Sequence, residues 1–190
     1  MIQRLHLGLD LDGTLADHTQ AKLFIARALG HVFKPHHTPS EVLRHLMSPQ
    51  EYGALQTRLY TEFVDNAPKV AGVSEALEEM RRRGWEFSLV SRRWENGHES
   101  ARKWLSRELP GFIPPERVFF VTADDEKEII CKRENILAFV DDQQGVLTHL
   151  QSVQCRILHD PHGSFINALP EYFVGMRKWH ELPYILSRFE

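Results

Sequence analysis

The chain has 190 residues, 42% of them hydrophobic and 26% charged, which suits one globular domain or a core with a small insert. Its formal net charge of −3 excludes the broad positive surface that a long nucleic acid or an anionic membrane would need. Two cysteines, Cys131 and Cys155, are too few for a disulfide framework or a four-cysteine zinc site. With no recognisable cleavable signal and no apolar run of roughly 18 residues, we expect a soluble, cytoplasmic protein.

Short apolar runs alternate along the chain with segments of helical spacing. Apolar residues recur on one helical face over residues 73–84 and again over 98–111. Strands that alternate with helices favour parallel pairing, so we expect an α/β fold with a Rossmann-like, three-layer parallel sheet. The five predicted strands lie at residues 5–9, 86–91, 118–121, 136–140 and 155–159.

The interval after the first strand is too long for a simple crossover. About sixty residues pass before the next strand unit begins near Val70, whereas most connections are far shorter. Two helical patterns fill the interval, so we expect a small helical cap at 16–68, inserted into an α/β core formed by 1–15 and 69–190. The cap should lie over the C-terminal edge of the sheet, where open α/β sheets bind their ligands.

Two aspartates end the first predicted strand. Side chains at positions i and i+2 of a strand point the same way, so Asp10 and Asp12 should converge at the strand's carboxyl end. Gly13 allows a sharp turn there, and Thr14 offers a hydroxyl or a backbone N–H to an anion. Two neighbouring carboxylates repel each other unless a cation lies between them, and oxygen ligands favour Mg²⁺.

Further polar residues should reach the same edge. Asp141 and Asp142 end another predicted strand, Ser91 ends a third, and Lys127 begins a short helical segment. Because the carboxyl ends of parallel strands share one edge of the sheet, these side chains can meet the first acidic pair. One hydroxyl, one ammonium and four carboxylates predict a phosphate site with a metal ion to offset the charge.

The segments LGLDLDGTL, LVSRR, Lys127 and FVDD resemble, in order and position, the four motifs of the haloacid dehalogenase (HAD) superfamily of phosphohydrolases. The resemblance extends over most of the chain and includes an insert between the first two motifs. Residues 71–93, 157–167 and 177–186 look like the 5′(3′)-deoxyribonucleotidase branch. The resemblance implies a HAD-like core and a Mg²⁺-dependent phosphomonoesterase that acts through an aspartyl-phosphate. Its partner would be a small phosphorylated metabolite such as a (deoxy)nucleoside monophosphate.

The resemblance also implies roles for individual residues. Asp10 would attack phosphorus, and Asp12 would protonate the leaving oxygen and later deprotonate the hydrolytic water. Ser91 and Lys127 would bind the phosphoryl oxygens. Mg²⁺ would be held by Asp10, the main-chain carbonyl of Asp12, and Asp142.

Several assignments stay open at this point. Asp141 would orient Lys127 or a water ligand of the metal, but it could replace Asp142 as the main metal ligand. Thr14 and Arg92 are further candidates for binding phosphate. Arg92 and the adjacent Arg93 could contact a second anionic group of the substrate, or form surface ion pairs instead.

Other readings of the chain compete with these. Lys132 is a rival to Lys127, although its late position in the helical segment favours a solvated side chain. His36 and His37 lack the spacing of a zinc site, so we expect a solvated loop. His162 and Asn167 match no known functional position. The alternative functions are a phosphatase of sugar phosphates or other metabolites on the same core, and a non-enzymatic nucleotide- or phosphate-binding module. The sequence does not indicate an oligomeric state.

Overall fold

The fold is built on a six-stranded, wholly parallel sheet. The computed structural model describes residues 5–165 and 169–190. The strands follow the order β3-β2-β1-β4-β5-β6, and each neighbouring pair is parallel. This confirms the predicted Rossmann-like α/β fold. The strands are β1 (His6–Leu9), β2 (Glu86–Arg92), β3 (Val118–Val121), β4 (Ala138–Asp141), β5 (Cys155–His159) and β6 (Phe173–Met176).

Helices cover both faces of the sheet and complete the three layers. Apolar residues of α4, α5 and α8 pack on one face of the strands, and residues of α6 and α7 pack on the other. Burial of both faces explains why the strands read as continuous apolar runs. The helices are α1 (Thr19–Ala28), α2 (Ser40–Leu46), α3 (Pro49–Arg58), α4 (Val73–Arg82), α5 (His98–Glu108), α6 (Glu126–Glu134), α7 (Gln144–His149) and α8 (Leu182–Leu186).

The segment between β1 and α4 has an apolar cluster of its own. Helices α1, α2 and α3, with the π-helical turn Leu59–Phe63 that follows α3, bury side chains against one another. The boundaries expected for this cap, 16 and 68, stay a prediction. Its cluster consists of Ile25, Ala26, Leu43, Met47, Leu55 and Leu59.

The structure differs from the sequence analysis at two strands, β4 and β6. The strand expected at 136–140 runs from Ala138 to Asp141, because Ile136 and Leu137 are buried before the ladder begins. β6 was missed because its four residues include Gly175 and only two buried side chains, Phe173 and Met176. Within the described residues, no helix combines the length and the apolar character that a membrane crossing requires.

Gly8 lies in the central strand β1, where its neighbour leaves no room for a side chain. A Cβ there would stand 2.3 Å from Cδ2 of Phe139 on β4, whose ring is fully buried. We therefore expect Gly8→Ala to lower the free energy of unfolding by about 1–3 kcal/mol, measured by urea unfolding. Gly53→Ala in α3 is the control. A Cβ there would have no atom within 4 Å beyond its own helix backbone and chain neighbours, so the change should not destabilise the protein. Equal stability of both variants would contradict this packing.

Candidate active site

A buried lysine joins two aspartates at the carboxyl edge of the sheet. Lys127, in the first turn of α6, donates hydrogen bonds from Nζ to Asp10 Oδ1 at 2.7 Å and to Asp141 Oδ2 at 2.8 Å. All three side chains are buried, whereas the rival Lys132 is exposed. The other oxygen of Asp141, Oδ1, accepts the backbone N–H of Gln143 at 3.0 Å. Folding therefore brings Lys127 to the aspartate that follows β1.

Three carboxylates lie close enough to share one cation. Asp10, Asp141 and Asp142 each offer one oxygen, and these oxygens lie within 4.8 Å of one another. Asp142 Oδ1 is buried and has no hydrogen-bond partner among the described residues. A Cβ at Gly13, where φ is +95°, would stand 2.2 Å from Asp142 Oδ2, so glycine makes room for this carboxylate. An all-oxygen donor set with an unpartnered buried acceptor fits Mg²⁺.

The carboxylate of Asp12 lies outside this group of three. Its Oδ1 accepts a hydrogen bond from His18 Nε2 at 2.8 Å, and its Oδ2 forms an ion pair with the guanidinium of Arg93. Burial alone would raise the pKa of Asp12, but Arg93 and His18 outweigh burial and hold it well below its usual value. Both oxygens of the Asp12 side chain are thus engaged, by His18 and Arg93, and its main-chain carbonyl is the candidate metal ligand.

The other carboxyl groups are shifted in the opposite direction. Burial, opposed by Lys127, raises the pKa of Asp10 and of Asp141. Burial and the charge of Asp10 raise the pKa of Asp142 to about 7, against the effect of Lys22. Burial would lower the pKa of Lys127, but Asp10 and Asp141 raise it well above its usual value. A charged lysine therefore stands among carboxylates that outnumber it, which is the environment that an added cation would relieve.

The predicted phosphate ligands differ in where they lie. Ser91 is buried at the end of β2 and lines a small cavity of about 40 Å³ together with Asp10, Asp12 and Lys127. Arg92 also lines it, but its guanidinium Nη1 pairs with Asp124 at 2.8 Å. Thr14 is fully buried and does not line this cavity; its hydroxyl has no partner among the described residues.

Helices of the cap region complete the small cavity. Lys22 and Tyr60 line it from above the strand ends, and the ring of Tyr60 lies 5.7 Å from the guanidinium carbon of Arg93. The sequence analysis missed His18 and Lys22. Their spacing carries no motif, since only the turn after β1 and the packing of the cap bring them to the aspartates.

The histidines that the sequence analysis singled out are not part of the three-carboxylate group, and Asn167 falls outside the described residues. His36 is exposed, and Nδ1 of His37 accepts the backbone N–H of Lys34, which is local loop structure. His162 Nε2 lies 3.3 Å from the hydroxyl of Thr19.

Comparison with known proteins supports the fold and little beyond it. No family model and no curated protein sequence matches the chain. A HAD-family hydrolase of Deinococcus radiodurans, solved with phosphate and sodium bound, is similar with a TM-score of 0.63 and 15% identity, over 100% of this chain and 97% of that one. A HAD hydrolase of Bacillus subtilis bound to magnesium gives 0.63 and 13%, over 97% and 99%.

A protein of Haemophilus somnus described as a predicted phosphoglycolate phosphatase is also similar. Its TM-score is 0.60 at 13% identity, over 97% of this chain and 99% of that one. None of these three proteins is described as a nucleotidase, so that branch of the resemblance stays a prediction. The chain therefore has the α/β fold of HAD-superfamily hydrolases, with an acidic cluster of aspartates that could hold a metal ion.

Proposed function

We propose that the protein is a Mg²⁺-dependent phosphomonoesterase in which Asp10 forms an aspartyl-phosphate. The contact that carries the proposal is the pair of hydrogen bonds from buried Lys127 to Asp10 and Asp141. It fixes a carboxylate nucleophile beside a permanent positive charge that can also hold a phosphoryl oxygen. Ser91 lines the same cavity and supplies a hydroxyl for another phosphoryl oxygen.

The two half-reactions need Asp12 in two protonation states. In the first, a carboxylate oxygen of Asp10 forms a bond to phosphorus, the bond to the leaving oxygen breaks, and Asp12 gives that oxygen a proton. In the second, Asp12 takes a proton from water as the water oxygen attacks phosphorus and the bond to Asp10 breaks. His18 and Arg93 favour the deprotonated form that the second step uses. The charge of a bound phosphoryl group favours the protonated form that the first step uses.

Asp10, Asp142 and the main-chain carbonyl of Asp12 are the proposed ligands of Mg²⁺. Both oxygens of Asp141 already accept hydrogen bonds, from Lys127 and Gln143, whereas Asp142 Oδ1 has no partner in the described chain. This difference favours Asp142 over Asp141 as the main ligand. When bound, the ion supplies positive charge that offsets the charge of the phosphoryl oxygens.

Small phosphomonoesters are the proposed substrates, and (deoxy)nucleoside monophosphates are the first class to test. Tyr60 lines both the small cavity and a neighbouring one of about 690 Å³. Arg93, the partner of Asp12, and Trp94, which is 74% exposed, also line the larger cavity. Aromatic side chains beside the proposed proton donor are suited to stack on a planar leaving group.

Phosphate release tests this function. We expect release from at least one member of a panel of nucleoside monophosphates, deoxynucleoside monophosphates and sugar phosphates, dependent on Mg²⁺ and abolished by EDTA. Asp10→Asn should lower kcat by about 10³-fold or more, because the amide cannot attack phosphorus. Lys132→Gln, a change at an exposed site on α6, is the matched control and should keep the activity. Binding of phosphate or nucleotide without any release would favour the non-enzymatic alternative.

A further inference from the structure

A third cavity adjoins the small one, and the proposed function assigns no ligand to it. Its volume is about 500 Å³, and it lies between the C-terminal ends of β5 and β6 and the start of the cap. His18 and Lys22 line both cavities, so the two cavities are direct neighbours. Residues from β5 and the segment after β6 form much of its wall, including His159, Arg177, Lys178 and Trp179.

Cationic side chains outnumber carboxylates in the lining of this cavity, three to two, in a chain whose net charge is −3. Lys22, Arg177 and Lys178 line it, and none of the three forms an ion pair with any residue of 5–165 or 169–190. Two carboxylates, Asp17 and Asp142, also line it, and Asp17 is engaged by the backbone N–H of Thr19 at 2.8 Å.

Lys22 is the most unusual of the three cations. Its side chain is 6% exposed, and within the described residues its Nζ donates to the carbonyl oxygen of Thr38 at 3.1 Å and to the hydroxyl of Ser40 at 3.4 Å. The charge of Lys22 acts on Asp142, but no carboxylate of the described residues lies at ion-pair distance from the ammonium, so an arriving anion would offset the cost of its burial. Its place at the junction of the two cavities suits an anionic ligand that spans them.

Two residues of the cavity wall each carry a buried nitrogen atom without a hydrogen-bond partner in the described chain. Trp179 is 1% exposed and its indole Nε1–H has no acceptor in the described chain. His159 is 2% exposed; its Nδ1 lies 3.1 Å from the carbonyl oxygen of Gly13 and therefore donates, so Nε2 is left as an acceptor without a donor.

We propose that this cavity binds a second anionic group, carried by the leaving group of the substrate. The inference rests on the proposed phosphatase function and narrows its substrate to phosphomonoesters that bear a further carboxylate or phosphate. The guanidinium of Arg177 suits either group, since it can donate two parallel hydrogen bonds. The arginines that the sequence analysis offered for this role, Arg92 and Arg93, are instead paired with Asp124 and Asp12.

Matched substrates test the proposal. 2-Phospholactate and isopropyl phosphate differ only in that a carboxylate replaces a methyl group, and adenosine 3′,5′-bisphosphate differs from adenosine 5′-monophosphate by one phosphate. We expect kcat/KM to be at least about tenfold higher for the charged member of one pair, and the pair concerned identifies the anion. The double variant Arg177→Gln/Lys178→Gln should reduce that ratio about tenfold, and Lys132→Gln should leave it unchanged. Comparison of ratios removes differences in the intrinsic reactivity of the substrates.

The outcomes separate this inference from the function on which it rests. Hydrolysis without preference for either charged substrate, or a preference that the double variant retains, would overturn the second anion site and leave the phosphatase intact. No hydrolysis of any of the four compounds or of the wider panel would remove the function itself. Sodium lactate should compete with 2-phospholactate. If lactate instead accelerated hydrolysis of isopropyl phosphate, the cavity would be a site for a separate activating anion, which contradicts the proposal.

Discussion

Replacement of Lys127 by Met is expected to lower the free energy of unfolding by about 3–5 kcal/mol and to abolish phosphate release. The ammonium lies 2.7 Å from Asp10 and 2.8 Å from Asp141, and all three side chains are buried. Methionine has a similar length but no charge, so the variant leaves two buried carboxylates without their cation. Urea unfolding followed by circular dichroism measures the loss, with Lys132→Met on the exposed face of α6 as the matched control.

The effect of Lys127→Met should also depend on pH. Loss of the ammonium raises the pKa of Asp10 and Asp141 still further above the values of the unfolded chain. A carboxyl group with a raised folded pKa lowers the free energy of unfolding progressively as pH rises from its unfolded pKa to its folded pKa, and the cost is complete above the folded pKa. The difference from wild type should therefore be larger at about pH 8 than at about pH 5. A loss below about 1 kcal/mol at pH 8 would contradict a charged lysine bound between two carboxylates.

Two adjacent aspartates should respond in opposite directions to the same substitution. Asp141→Asn must lose a hydrogen bond, because both oxygens of Asp141 accept one, from Lys127 and from the Gln143 N–H. The amide NH₂ of asparagine is a donor and would point at one of these two donors. We expect it to lower the free energy of unfolding by about 1–3 kcal/mol. Asp142→Asn loses no hydrogen bond within the described residues and removes a charge from a buried acidic group. In EDTA near pH 8 it should raise the free energy of unfolding by a similar amount.

Addition of Mg²⁺ should reverse the order of stability of wild type and Asp142→Asn, so that the wild type becomes the more stable protein. An ion that binds only the folded protein stabilises it by mass action, and the wild type has the complete set of carboxylates. We expect its thermal midpoint to rise with Mg²⁺ concentration and that of Asp142→Asn to stay nearly constant. An equal response of the two proteins would exclude Asp142 as a ligand. A response lost in Asp141→Asn alone would assign the ion to Asp141.

The sequence predicted the parts of this molecule that depend on local pattern. Continuous apolar runs marked five of the strands, and carboxyl ends that share one edge explain why Asp10, Asp142 and Lys127 were expected together. In parallel sheets that convergence follows from topology alone. β6 was not predicted, because a four-residue run containing Gly175 becomes a strand only when β5 offers a partner. That pairing is a long-range effect.

The side chains that surround Asp12 could not be predicted from spacing. His18 reaches it through the turn that follows β1, and Arg93 turns inward while its neighbour Arg92 faces Asp124. Adjacent arginines are equivalent in sequence, and only the backbone direction at the end of β2 separates them. Lys22 presents the same difficulty, since a lysine inside a helical pattern normally reads as solvated.

The most direct test of this account is to look for the covalent intermediate on Asp10. The purified protein is mixed with Mg²⁺ and its best substrate from the phosphate-release panel, quenched in acid within the first turnover, digested and analysed by mass spectrometry. The account predicts one added phosphoryl group on the peptide that contains Asp10, absent from Asp10→Asn and lost on incubation at alkaline pH. Rapid phosphate release without any phosphorylated peptide, or a phosphoryl group on another residue, would contradict it.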